Sequence, residues 1–313
     1  MERAPLGRSG ITVSRLALGG NNFGWRLDPR ATRAVVDTAL DVGVNFIDTA
    51  DMYGRNAPRL PSYGLSERGD SERLLGRALA GRRDRVVLAT KFGADMGDGV
   101  VARGAPAYMR RAVEGSLGRL ATDYIDVLYY HRLDGVTPLS ETVGAMRELV
   151  REGKVRALGC SDLDEQQLRE VGADIAALQN RFHLLDRADA FGVLPACVQL
   201  GVGYVPFSPL ADGILSGKYG MSGAAPAGSR LSSVVLGEDV LGRLRRLVAL
   251  ARELDRTLLE LALGWLCSQP AIPAVVAGAT SPEQVRANAK AVARGFAPDE
   301  LGRITTLIEI AAR

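Results

Sequence analysis

From residue 14 onward, short apolar runs alternate with stretches whose apolar positions recur every three to four residues. The runs at 14–20, 45–50, 85–92, 125–133, 155–161, 175–182, 203–209 and 274–279 read as strands. Helical spacing follows at 29–42, 71–80, 106–121, 138–152, 165–171, 190–200 and 257–267, with a last helix from Pro282. In the first of these, Ala31, Val35, Val36, Ala39 and Leu40 share one face, and Gly43 ends it. The strand runs are continuously apolar, as parallel strands covered on both faces should be. Eight such units without a long linker predict a closed (β/α)8 TIM barrel, formed by residues 1–313 as one domain. Residues 5–13 read as a β-hairpin closing the barrel bottom, and the tail from Pro298 as an extra helix. Connections at 55–70 and from Lys218 to about Gly237 carry Gly, Pro and Ser. They read as active-site loops or lids, with an oligomer contact or a plain surface insertion as the other readings of 55–70.

Composition narrows the partners. The 313 residues are 47% hydrophobic and 24% charged, which excludes a disordered or fibrous chain. Aromatics make up only 5% and the net charge is +3 with no basic run, so neither nucleic acid nor a membrane surface is expected as a partner. Cys160, Cys197 and Cys267 are widely spaced and form no CxxC, which fits a reducing compartment. The first residues lack the apolar core of a signal peptide, and no apolar stretch is long enough to span a bilayer. A cytoplasmic location is the expectation.

Common nucleotide motifs are missing. The segment Gly19-Gly20-Asn21-Asn22-Phe23-Gly24 does not match GxGxxG, and Gly213-Ile214-Leu215-Ser216-Gly217-Lys218 is one residue short of a P-loop. The latter can still offer backbone N–H groups and a cation to a phosphate, or be only a loop. Two histidines, His131 and His183, cannot make a three-histidine metal site, and GxSxG is absent, so no metal site and no acyl transfer are expected.

Barrel chemistry sits at the C-terminal ends of strands. There the chain places Asp48 in the second run with Asp51 and Tyr53 just after it, Lys91 in the third, His131-Arg132 in the fourth, Ser161 at the end of the fifth with Asp162 next, Gln179-Asn180 in the sixth and Phe207-Ser208 in the seventh. A phenol is a poor acid at neutral pH, but a nearby ammonium lowers its pKa and a carboxylate can hold that ammonium. Asp48, Tyr53, Lys91 and His131 therefore form a coherent set for protonating a carbonyl oxygen as hydride arrives. Singly, each has a plain reading too. Asp48 also suits a helix cap, Lys91 a structural or solvated lysine, and Tyr53 and His131 core packing.

At these residues the sequence resembles the aldo-keto reductase superfamily. The resemblance starts at Leu6-Gly7-Arg8-Ser9-Gly10 and is most specific over Gly43-Val44-Asn45-Phe46-Ile47-Asp48-Thr49-Ala50-Asp51-Met52-Tyr53-Gly54. It continues through Ser71-Glu72, Thr90-Lys91-Phe92, Tyr124-Ile125-Asp126, Gly153-Lys154-Val155 and Phe207-Ser208-Pro209-Leu210 to the Gly213–Lys218 segment. It implies a barrel that binds a nicotinamide dinucleotide and interconverts carbonyls and alcohols, with Asp48, Tyr53, Lys91 and His131 as the catalytic tetrad. It also implies cofactor contacts at Gly20, Asn21, Ser161, Asp162, Gln179, Phe207, Ser208, Leu210, Lys218, Gly278, Thr280, Gln284 and Asn288. Asp162 departs from the usual Asn, and an ionised carboxylate can accept from the carboxamide but cannot donate to it. Phe207 offers a ring face to the nicotinamide. Gly278 and Gln284 stand where some branches carry a cation for the 2′-phosphate, while Thr280, Ser281 and Arg286 could hold it instead. Family habit leans to NADP(H) over NAD(H). The implied partner is a small carbonyl or alcohol substrate, and an oligomer is possible. Alternatives are an NAD-dependent dehydrogenase of a sugar or pyridoxal-like substrate, a low-turnover cofactor-binding sensor resembling channel β subunits, and an unrelated barrel lyase or hydrolase.

Overall fold

The computed structural model describes residues 1–54, 68–218 and 236–310. Most of the two long connections, with Arg55, Arg59, Tyr63 and Glu67, lies outside the described residues. A hairpin comes first, β1 (Arg3–Pro5) against antiparallel β2 (Thr12–Ser14), starting slightly earlier than expected. Eight parallel strands then alternate with helices. They are β3 (Leu16–Gly19), β4 (Phe46–Asp48), β5 (Val87–Phe92), β6 (Ile125–Tyr130), β7 (Val155–Ser161), β8 (Ala177–Gln179), β9 (Gly203–Tyr204) and β10 (Val275–Gly278). The ladder runs β10-β3-β4-β5-β6-β7-β8-β9. The seam between its ends is bridged where the Val276 amide donates to the Pro206 carbonyl at 3.0 Å. Run 203–209 shrinks to a two-residue strand because Pro206 and Pro209 have no N–H to donate.

The period-two geometry of strands explains the continuous apolar runs. Leu16, Leu18, Ile47, Leu88, Leu128 and Tyr130 point outward into the layer beneath the helices. Ala17, Phe46, Val87, Ala89, Val127, Tyr129, Ala157 and Ala177 point into the barrel, where Leu6, Ile11 and Val13 of the hairpin region join them. Gly159 lies in the inward phase beside Tyr129. A Cβ there would come within 2.4 Å of that ring, so only glycine leaves space for the phenol.

The helices are α1 (Pro29–Asp41), α2 (Asp70–Ala78), α3 (Pro106–Leu120), α4 (Leu139–Arg151), α5 (Glu165–Val171), α6 (Val193–Leu200), α7 (Glu238–Glu253), α8 (Leu258–Cys267), α9 (Pro282–Ala293) and α10 (Pro298–Ile310). Asp28 caps α1 by accepting from the Ala31 amide, with Pro29 at the first position. Thr257 and Glu260 form a capping box on α8. Helix α7 was not expected. Its buried Leu241, Leu244, Leu247 and Leu250 recur every third residue, and α10 packs against it. No described helix is long and apolar enough to cross a membrane.

Candidate active site

Inward phase carries the chemistry to the C-terminal mouth. Asp48 follows Phe46 by two residues on β4, Lys91 follows Ala89 on β5, and Gln179 follows Ala177 on β8. His131, just past β6, continues the phase of Tyr129. Lys91 Nζ donates to Asp48 Oδ2 at 2.6 Å, to the Thr49 carbonyl at 2.9 Å and to the Tyr53 hydroxyl at 3.4 Å. Gln179 Nε2 donates to the other Asp48 oxygen at 2.7 Å. Tyr53 and His131 meet edge to face, with ring centroids 5.9 Å apart. Backbone bonds fix the turn that carries Tyr53. Its amide donates to the Ala50 carbonyl, its carbonyl accepts from Gly69, and the Asp51 amide donates to the Lys91 carbonyl.

Electrostatics follow from this packing. Burial pulls the Lys91 ammonium toward its neutral form, but Asp48 and Tyr53 outweigh it and hold its pKa above the usual lysine value. For Tyr53, burial raises the phenol pKa and the Lys91 ammonium opposes it without overcoming it. Sequence alone predicts only the lowering by the ammonium, because dehydration of the phenol is a property of the packed site. His131 is held well below the ordinary histidine value by burial, by Lys91 and by Arg132, so its imidazole is neutral at physiological pH. A neutral imidazole keeps one N–H to donate to a carbonyl oxygen.

These groups open into a cavity of about 720 Å³, within the usual range for small-molecule sites. Its wall includes Asp48, Tyr53, Lys91 and His131, then Asn21, Ser161, Gln179, Phe207, Ser208, Leu210 and Lys218, and finally Gly278, Thr280, Gln284 and Asn288. Two expected residues are off the wall. Gly20 is a packing glycine, where a Cβ would press on the Asp48 carbonyl and Ser71 Oγ at 3.1 Å. Asp162 turns its carboxylate onto Arg132. Arg26, Met52, Arg132 and Asp212 also line the wall, and the sequence argument gave none of them a role. Arg132 was visible at its strand end, beside His131, and that adjacency was the usable signal.

The cavity suits a dinucleotide. Asn21 Oδ1 is buried on its wall with no hydrogen-bond partner among the described residues. A Cβ on Gly278 would stand 3.3 Å from that oxygen and 3.1 Å from Asn22 Nδ2, so the bare glycine keeps the cradle open. Ser208, Ala211 and Asp212 all adopt left-handed backbone, an unusual strain for residues with a Cβ, in the loop beside Phe207. At the far end, Gln284 Oε1 accepts from both the amide and hydroxyl of Thr280, at 2.8 and 3.1 Å. Ser281 caps α9, and Arg286 pairs with Glu283 off the cavity wall.

Comparison with known proteins fits this geometry. The model of the Aldo/keto reductase family matches residues 15–309. The chain belongs to the aldo/keto reductase family. This aldo/keto reductase is 36% identical over 308 residues to YrpG of Bacillus subtilis, named an uncharacterized oxidoreductase, covering 93% of this chain and 91% of that one. It is 34% identical over 316 residues to a "Probable voltage-gated potassium channel subunit beta" of Arabidopsis thaliana, with the same two coverages. Among solved structures, the aldo-keto reductase AKR11C1 from Bacillus halodurans, in its holo form, superposes with a TM-score of 0.79 at 31% identity. That match covers 98% of this chain and 96% of the other. The family is one of oxidoreductases that use nicotinamide cofactors and act on small carbonyl compounds.

Proposed function

We propose that this aldo/keto reductase is a cytoplasmic enzyme, one domain over residues 1–313, that reduces an aldehyde or ketone with a nicotinamide dinucleotide. The observation that carries the reading is the Lys91 ammonium bridging Asp48 and the Tyr53 hydroxyl at the mouth of the cavity. The bound nicotinamide supplies hydride to the carbonyl carbon. Tyr53 gives its hydroxyl proton to the carbonyl oxygen, and Lys91 offsets the phenolate charge that is left. Asp48 keeps Lys91 charged and aimed. The neutral His131 donates to the same oxygen and orients it. Ser161 and Gln179 would flank the carboxamide, Phe207 would offer its ring face to the nicotinamide, Ser208, Leu210 and Lys218 would hold the pyrophosphate, and Asn288 would face the adenosine.

NADP(H) is the preferred form in this reading, with Thr280 and the N-terminus of α9 as the groups that would hold the 2′-phosphate. A second reading, an NAD(H)-dependent dehydrogenase of a sugar or pyridoxal-like substrate, draws support from Arg286. Its guanidinium pairs with Glu283 and does not line the cavity. Parallel fluorescence titrations with NADPH and NADH decide between them, and steady-state oxidation of the preferred form with 4-nitrobenzaldehyde tests turnover. Tight binding without turnover would favour a cofactor sensor. Binding of neither dinucleotide would overturn the proposal.

A further inference from the structure

We infer that Arg132 is a specificity-determining residue, and that the carbonyl substrate carries an anionic oxygen group near its reacting carbon. The inference rests on the reductase reading above and extends it to the substrate.

Arg132 follows His131 directly at the end of β6 and lies on the cavity wall. Its side chain is 55% exposed, so it is open to an incoming molecule. Among the described residues its one ion pair or hydrogen bond is to Asp162, which is off the wall. One carboxylate thus holds the guanidinium, and the fork has further N–H donors to offer. Asp162 is itself well fixed. Its backbone is left-handed, at φ 55°, and its amide donates to the Gln179 carbonyl at 3.0 Å. A side chain launched from an over-determined backbone holds its partner in one orientation.

The same wall carries further polar and apolar groups. Arg26 is a second guanidinium on the wall, lying 4.8 Å from the ring centroid of Trp25. Met52 and Ala94 add apolar surface to it. Asp95 also lines the wall, and one of its oxygens accepts from the Gly97 amide at 2.7 Å. The charge of Arg132 is felt at both groups, favouring the phenolate of Tyr53 and opposing the imidazolium of His131, so the guanidinium is electrostatically close to the reacting groups. A planar fork beside a proton donor suits bidentate capture of a carboxylate or a phosphate ester. Anchoring that group orients the carbonyl over Tyr53.

The test compares charged and neutral aldehydes on the wild-type enzyme loaded with its preferred dinucleotide. Succinic semialdehyde is set against butanal for the carboxylate arm, and glyceraldehyde 3-phosphate against glyceraldehyde for the phosphate arm. The anionic member of at least one pair is expected to have kcat/KM about tenfold or more above its neutral partner. Arg132→Gln should bring that ratio to about one, mainly through KM, and Arg132→Lys should restore part of it. Malonate should inhibit the wild type and fail to inhibit Arg132→Gln, which reads anion binding without turnover of a charged substrate. Equal kcat/KM within both pairs, or a preference that survives Arg132→Gln, overturns the inference while leaving the reductase reading intact. If no aldehyde is turned over with either dinucleotide, the reductase reading fails and this inference falls with it.

Discussion

Gln179 donates its side-chain amide to the Asp48 carboxylate at 2.7 Å, although 131 residues separate them in the chain. The same carboxylate receives the Lys91 ammonium on its other oxygen. Both oxygens of a buried acid are thereby satisfied, and Asp48 can hold Lys91 in a single orientation. Gln179→Leu leaves one oxygen without a donor, and should cost about 1–3 kcal/mol of stability. Urea denaturation reads this directly. An unchanged midpoint would show that the contact contributes nothing.

Tyr53 and Lys91 should separate by what their loss does. Tyr53→Phe removes one hydroxyl and should lower kcat/KM by about 100-fold or more, while the dissociation constant of the dinucleotide stays within about twofold. Lys91→Met strands a buried Asp48 without its counter-charge, a loss of about 3–5 kcal/mol. It should weaken stability, turnover and dinucleotide affinity together. Wild-type kinetics for either variant would remove that residue from the proposed mechanism.

Asp51 lies two residues before Tyr53, is 2% exposed, and has one carboxylate oxygen with no partner among the described residues. Burial and the neighbouring Glu72 carboxylate push its pKa up to about 7. The unfolded value is 3.8, so between about pH 4 and 7 the folded chain holds the extra proton. Stability contributed by this group therefore falls as pH rises through that window, and the penalty is complete above pH 7. Asp51→Asn should raise the Tm at pH 8 and leave it unchanged at pH 4. A gain of the same size at both values would mean the effect is not titration.

The two histidines work in the opposite direction. Burial holds His131 well below 6.5 and, with Arg181, takes His183 down to about 4. Below pH 6.5 the unfolded chain gains protons that the folded chain refuses, so stability is lost as pH falls from 6.5 toward 4. Asp51 opposes this trend in the same window, so the histidine contribution is read as a difference: in thermal scans across pH 4–7, His183→Gln should gain Tm relative to the wild type as pH falls from 6.5 toward 4. A Tm difference between the two proteins that does not change with pH would exclude His183 as a contributor.

Much of the fold, and the placement of the candidate site residues, was legible because strand geometry has period two. Once 45–50, 85–92 and 125–133 are read as strands, Phe46 and Asp48 must share a face, as must Ala89 and Lys91, and Tyr129 and His131. Helix α7 was equally legible, since Leu241, Leu244, Leu247 and Leu250 keep helical spacing. The Gly- and Ser-rich connection before it drew the segment into a loop.

The sequence by itself determined the alternation of strands and helices, the inward phase of each strand and the residue types at its C-terminal end. Those properties depend on neighbours a few positions away. Only the tertiary structure decided that Gln179 serves Asp48, that Asp162 turns to Arg132 and leaves the cavity wall, and that Gly20 is a packing residue. It also decided that burial outweighs the ammonium at Tyr53. These outcomes depend on which strand ends meet once the ring closes and on how much water the closure removes. No local pattern along the chain encodes either quantity.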